Sequence, residues 1–174
     1  MMFRKIVFVL SMVMPLGLQP VVDCQIQIVY TPENTVFVFD FDRVILTMSL
    51  GIKYFKRVKT GTQEIIILLK NLGYRIDGGT NNKLKNVKYF QKKFAVFKLF
   101  TNIKCIESKK ALKKPYDAYF QDYMKRFGDK TKKYYIFVDD MLENVFAARR
   151  NGFIGIHFKN AEQLYDDLVE MGIL

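Results

Sequence analysis

Two residue types on which much protein chemistry rests are scarce in this chain of 174 residues: it has two cysteines, Cys24 and Cys105, and one histidine, His157. So few cysteines exclude a disulfide framework and a zinc site built mainly on thiolates. A single histidine removes two-histidine metal sites and leaves a Ser-His-Asp arrangement only one candidate base. No segment repeats at a fixed period and no tract is of low complexity, which excludes repeat and fibrous classes. Acidic residues are also few, 17 against 28 Lys/Arg, for a net charge of +11. The deficit is local. Between Lys83 and Lys133 there are 16 Lys/Arg and 4 Asp/Glu, a net of +12, and the rest of the chain is close to neutral. Such a field favours an anionic partner, whether phosphate ester, nucleic acid or anionic lipid, or else is a solvated surface. Apolar residues, in contrast, make up half the chain and aromatics 15%, enough for the buried core of one domain.

The first residues differ from the rest. Arg4 and Lys5 precede an apolar run of 13 residues, Ile6–Leu18, which Gln19, Pro20 and Asp23 break. A membrane span needs about 20 residues, so no stable transmembrane span is expected here. The flanks and length fit a signal peptide over residues 1–24 and an exported protein, periplasmic or secreted. The cleavage site is poor, and Asp23 argues against acylation of Cys24. A retained N-terminal extension, in a cytoplasmic protein, is the alternative.

From Thr35 to Leu174 the pattern alternates. TVFVFD (Thr35–Asp40) and YYIFV (Tyr134–Val138) are continuous apolar runs, as in strands buried on both faces. Shorter strands are expected at Tyr74–Gly78, Ile103–Ile106 and Phe153–Phe158, with an edge strand at Gln25–Tyr30. Helices are expected over Gln63–Leu72, Asn82–Phe97, Pro115–Phe127, Met141–Asn151 and Ala161–Met171. Val87, Phe90, Phe94 and Phe97 fall on one helical face and read as core. Strand and helix in alternation predict an α/β, Rossmann-like three-layer sandwich around a parallel sheet of about five strands. Ligands of such sheets bind beyond the carboxyl ends of the strands.

The strand ends carry the chemistry. The first buried strand ends in Asp40-Phe41-Asp42 and the Tyr134–Val138 strand in Asp139-Asp140. Carboxylates brought that close repel one another unless a cation joins them, and oxygen donors without histidine or thiolate select Mg²⁺. A third strand leads to Thr80-Asn81, where a hydroxyl and backbone N–H groups can grip an anion. Lys114, before Pro115, supplies a cation. Each element alone is weak, since Asp-Asp at a strand end often only caps a helix. His157 and Cys105 read as packed residues, and Asn144 as a side chain able to orient a metal ligand.

In this order the segments resemble the haloacid dehalogenase (HAD) superfamily of phosphohydrolases. VFVFDFDRVIL is similar to its first motif, GYRIDGGTNN to the second, ALKKPYDAYF to the third and YIFVDDMLENVFAARRNGFIGIHF to the fourth. The resemblance implies that Asp40 is the nucleophile of an aspartyl-phosphate intermediate and Asp42 the acid and base. It gives Thr80 and the Asn81 backbone to the phosphoryl oxygens and Lys114 to charge neutralisation. Mg²⁺ would lie on Asp40, Asp140, the Asp42 carbonyl and, directly or through water, Asp139. Two departures bear on activity: Arg43 stands where glycine is common, and Asp77-Gly78-Gly79 replaces apolar residues. Few residues separate the motifs, so at most a short flap near Leu50–Thr60 is expected and little or no cap. The implied function is a Mg²⁺-dependent phosphatase of phosphate monoesters. An open site beside the basic stretch favours a phosphate on a large polyanion, a nucleic acid or phosphoprotein. The alternative is a catalytically weak scaffold that binds phosphorylated or polyanionic partners.

Overall fold

A computed structural model describes residues 28–47, 56–107 and 112–174. The expected signal peptide, and residues 50–55 of the expected flap, lie outside the described residues. In chain order the elements are β1 (Thr35–Phe39), α1 (Thr60–Asn71), β2 (Arg75–Lys83), α2 (Leu84–Lys93), a 3₁₀ turn (Ala95–Leu99), β3 (Asn102–Ile106), α3 (Asp117–Phe127), β4 (Tyr134–Asp139), α4 (Leu142–Arg150), β5 (Ile154–His157) and α5 (Ala161–Glu170). The five strands form one sheet in the order β3-β2-β1-β4-β5, and every pairing is parallel. The α/β class and the five-stranded sheet agree with the sequence reading.

β1 is central, and all five of its residues are buried. Its side chains alternate between two cores, as the period of a strand requires. Phe37 and Phe39 pack with Ile65, Ile66 and Leu69 of α1 and Leu164 and Leu168 of α5. Val36 and Val38 pack on the other face with Tyr119, Phe120 and Tyr123 of α3 and Ala147 and Ala148 of α4. Each such side chain taken fully from water contributes on the order of 2 kcal/mol, so β1 is a rigid base for the residues that follow it.

Several elements differ from expectation. β2 does not stop at Gly78 but runs on through Thr80 and Asn82 to Lys83, with a register shift against β3 between Gly79 and Lys83. The expected helix over Asn82–Phe97 breaks at Phe94, whose extended backbone (φ −122°, ψ 123°) ends α2; the 3₁₀ turn then returns Phe97 to the core. α3 begins at Asp117, two residues after Pro115. Ile28–Tyr30, the described part of the expected edge strand, is not in a strand.

The unusual β2 residues have structural partners. Asp77 is fully buried. It accepts from Arg75 Nε and Nη2 (3.1 and 2.6 Å), the Asn102 backbone N–H (3.1 Å) and the Tyr123 hydroxyl (2.6 Å). It thus ties β2 to β3 and α3, and its burial is compensated by hydrogen bonds, as a buried charge requires. A Cβ on Gly78 would stand 2.7 Å from the Phe41 ring, so glycine lets Phe41 pack against the strand. No helix among the described residues is long and apolar enough to cross a membrane.

Candidate active site

The register of the sheet brings the two acidic strand ends together. Phe39 lies opposite Val138, and the Asp40 N–H donates to the Val138 carbonyl at 2.9 Å. Asp40 therefore stands beside Asp139, both buried. Lys114 enters from the loop before α3, and its buried Nζ lies 2.7 Å from Asp40 Oδ1 and 2.6 Å from Asp139 Oδ2. Asn81 fixes that loop by two hydrogen bonds. Its Oδ1 accepts from the Lys114 N–H (2.9 Å) and its Nδ2 donates to the Lys114 carbonyl (3.0 Å). Neighbouring Lys113 is exposed and lies outside the crevice.

Burial raises the Asp40 carboxyl to about 6; Lys114 opposes the shift and the Asp139 charge adds to it. Burial works against the Lys114 charge too, but Asp40 and Asp139 outweigh it and hold the ammonium above its ordinary value. Asp139 is fully committed. Its Oδ1 accepts from Asn144 Nδ2 and the Met141 N–H, both at 2.9 Å, and its Oδ2 faces Lys114. Asn144, in the first turn of α4, thus orients a carboxylate.

Asp40, Asp139 and Asp140 each offer an oxygen within 4.8 Å of the others. The donors are hard oxygens, and a divalent cation such as Mg²⁺ fits them. Lys114 occupies one Asp40 oxygen, while the Asp139 oxygens are both engaged, so Asp40 and Asp140 are the better-placed donors. The Asp42 side chain is outside this group. It is half exposed, accepts from Asn82 Nδ2 at 2.8 Å and pairs with Lys56 through Oδ1.

Thr80 is buried within β2 and accepts from the Asn82 N–H (3.1 Å) and Asn82 Nδ2 (2.9 Å). Asn82 therefore bridges Thr80 and Asp42. Neither Asn82 nor Lys56 stands out in the sequence. Only the extension of β2 reveals the first, and nothing local signals the second. Arg43 has a φ of 63°, the only positive φ of a non-glycine residue in the described chain. A side chain in that region costs roughly 1 kcal/mol relative to glycine. Its Nη1 reaches Asp140 Oδ2 at 3.2 Å. His157, at the end of β5, has Nε2 3.0 Å from the Asp140 carbonyl.

A parallel sheet ordered β3-β2-β1-β4-β5, with a D-x-D at the end of its central strand and a lysine across an acidic crevice, has the fold of the HAD superfamily. Solved structures agree. A HAD-superfamily hydrolase from Ehrlichia chaffeensis superposes with a TM-score of 0.62 at 10% identity, over 82% of this chain and 99% of that one. A hydrolase from Streptococcus pneumoniae TIGR4 gives 0.63 at 10% identity, over 80% and 100%. A predicted phosphoglycolate phosphatase from Haemophilus somnus 129PT gives 0.50 at 27% identity; the match covers 59% of this chain and 45% of that protein. No protein-family model matches the chain. No curated protein matches it either.

Proposed function

We propose that the protein is a Mg²⁺-dependent phosphohydrolase that cleaves phosphate monoesters through an aspartyl-phosphate on Asp40. The observation that carries this reading is the buried Lys114 ammonium, 2.7 Å from one oxygen of Asp40 and 2.6 Å from Asp139. Lys114 offsets the carboxylate charge of the crevice, which would otherwise repel an incoming phosphate from Asp40. It also places a cation where charge gathers on the transferring group. Asp40 and Asp140 would hold Mg²⁺ together with the Asp42 carbonyl; bound there, the ion neutralises phosphoryl charge as a Lewis acid. Asp139 positions Lys114 and is itself set by Asn144.

In the first half-reaction an Asp40 oxygen forms the new bond to phosphorus and the ester bond breaks. Asp42 gives its proton to the leaving oxygen. In the second, Asp42 takes a proton from water as the water oxygen attacks phosphorus, and phosphate leaves with Asp40 restored. Covalent catalysis thus divides one difficult displacement into two. The Thr80 hydroxyl and the backbone beside Asn81 bind phosphoryl oxygens in this scheme. Exposed Lys83 at the end of β2, and Lys85, Lys88, Lys92 and Lys93 on α2, which follows directly from it, support a phosphate displayed on a larger anionic body.

The test is a phosphate-release screen over sugar phosphates, nucleotides, phosphorylated oligonucleotides and phosphopeptides, with and without Mg²⁺. Release that needs Mg²⁺ and is lost in Asp40→Asn supports the reading. A well-folded wild type with no release from any ester would leave a binding scaffold instead.

A further inference from the structure

Two cations stand at the mouth of the crevice, each on a carboxylate that the proposed reaction needs for another partner. Arg43 Nη1 is 3.2 Å from Asp140 Oδ2, and Lys56 Nζ pairs with Asp42 Oδ1. Both belong to the arm between β1 and α1. The Arg43 backbone is pinned in its left-handed conformation. Its N–H donates to the Leu46 carbonyl at 2.8 Å, and its own carbonyl accepts from Lys59 Nζ. The chain thus keeps arginine at a strained position and aims its guanidinium over Asp140. Lys56 Nζ also lies over the Phe90 ring, 5.3 Å from the centroid.

These pairs are open to exchange. In each pair one side chain is about half exposed (Arg43 46%, Asp42 47%) and the other largely buried (Asp140 15%, Lys56 20%), so water and an incoming ligand reach the contact from one side. A divalent cation at Asp140 and a leaving oxygen at Asp42 would compete with Arg43 and Lys56 for these two carboxylates. To the extent that they are displaced, Arg43 and Lys56 offer two positive charges to a second anion at the entrance. The phosphoryl group deep in the crevice does not need them, because Lys114, Thr80 and the divalent cation already meet its charge. What they fit is another anion on the leaving-group side. A guanidinium presents a donor fork matched to phosphate oxygens, and an ammonium adds a point charge.

We propose that Arg43 and Lys56 form a second anion subsite that selects phosphate monoesters whose leaving group carries a further phosphate. The inference rests on the phosphohydrolase reading for the placement of the first phosphate, but its test does not depend on turnover. Asp40→Asn protein is titrated calorimetrically with adenosine 3′,5′-bisphosphate and with AMP, in Mg²⁺ and at physiological ionic strength, where diffuse charge is screened beyond about 8 Å. The bisphosphate binds at least about tenfold more tightly. Adding Arg43→Gln and Lys56→Gln together brings the two affinities within about twofold of each other. The wild-type protein, read as the ratio of kcat/KM for the same pair, shows the same preference and the same loss. Equal affinities for the two ligands, or a preference that survives both substitutions, overturns the subsite. A binding preference without phosphate release upholds the subsite and refutes the phosphohydrolase reading instead. Release with no preference between the pair does the reverse.

Discussion

Replacing the Asp40 carboxylate by an amide removes a charge that the fold holds at a cost. Burial lifts the carboxyl from its ordinary 3.8 to about 6, even with Lys114 beside it. Each unit corresponds to about 1.4 kcal/mol, so the ionised group destabilises the folded state by about 3 kcal/mol at neutral pH. The sign follows from proton binding. Between about pH 4 and 6 the unfolded chain has lost this proton and the folded chain has kept it, so stability falls as pH rises through that window and levels off above 6. In Asp40→Asn the amide oxygen retains the Lys114 contact and the cost disappears. At pH 8 without divalent ions the variant should melt roughly 10 °C above wild type, and the difference should shrink towards zero by pH 4. Mg²⁺ should cancel most of the advantage. At a hundredfold excess over Kd, binding stabilises wild type by about 2.7 kcal/mol, close to the whole difference. Melting curves from pH 4 to 8, in chelator and in Mg²⁺, measure all three effects. A variant that melts at or below wild type at pH 8 in chelator would refute the argument, because the carboxylate would then be stabilising where it stands.

Gly78→Ala should cost about 1–3 kcal/mol by urea unfolding and also lower phosphate release. The added methyl lies 2.7 Å from the Phe41 ring, and Phe41 sits between Asp40 and Asp42. Tyr123→Phe takes a 2.6 Å hydrogen bond from the buried Asp77 carboxylate and should cost about 1–3 kcal/mol, with release at saturating substrate unchanged. Across a salt series, kcat/KM for a phosphorylated oligonucleotide should fall steeply while that for a sugar phosphate changes little. Equal slopes would make the α2 lysines a solvated face and nothing more.

Much of the site is legible in the sequence because strand ends are. Apolar runs that stop at carboxylates mark buried strands, and the parallel sheet places their ends side by side. That reasoning brings Asp40, Asp139 and Asp140 together, and the lysine before Pro115 proves to be the one that enters the crevice. What stays hidden depends on partners far apart in the chain. Asp77 reads as a misplaced charge until Asn102 and Tyr123 surround it. Asn81 reads as lying past the end of its strand and Asn82 as the start of a helix, because polar residues rarely continue a buried strand. Here they do, since one fastens Lys114 and the other joins Thr80 to Asp42. The phenylalanine stripe is core as expected, but Phe94 changes the backbone and not the burial pattern, so periodicity alone does not show the break. The Lys56 contact joins two ends of an arm and has no local signature.

The central claim is that Asp40 itself carries the phosphoryl group, and rapid acid quench during turnover tests it directly. The protein is mixed with a phosphate ester in Mg²⁺, quenched within the turnover time, digested and mapped by mass spectrometry. A phosphoryl group should appear on the peptide that contains Asp40, and neither the adduct nor released phosphate should form in Asp40→Asn. Phosphate released at the wild-type rate by Asp40→Asn, or an adduct mapped to any other residue, would contradict the account.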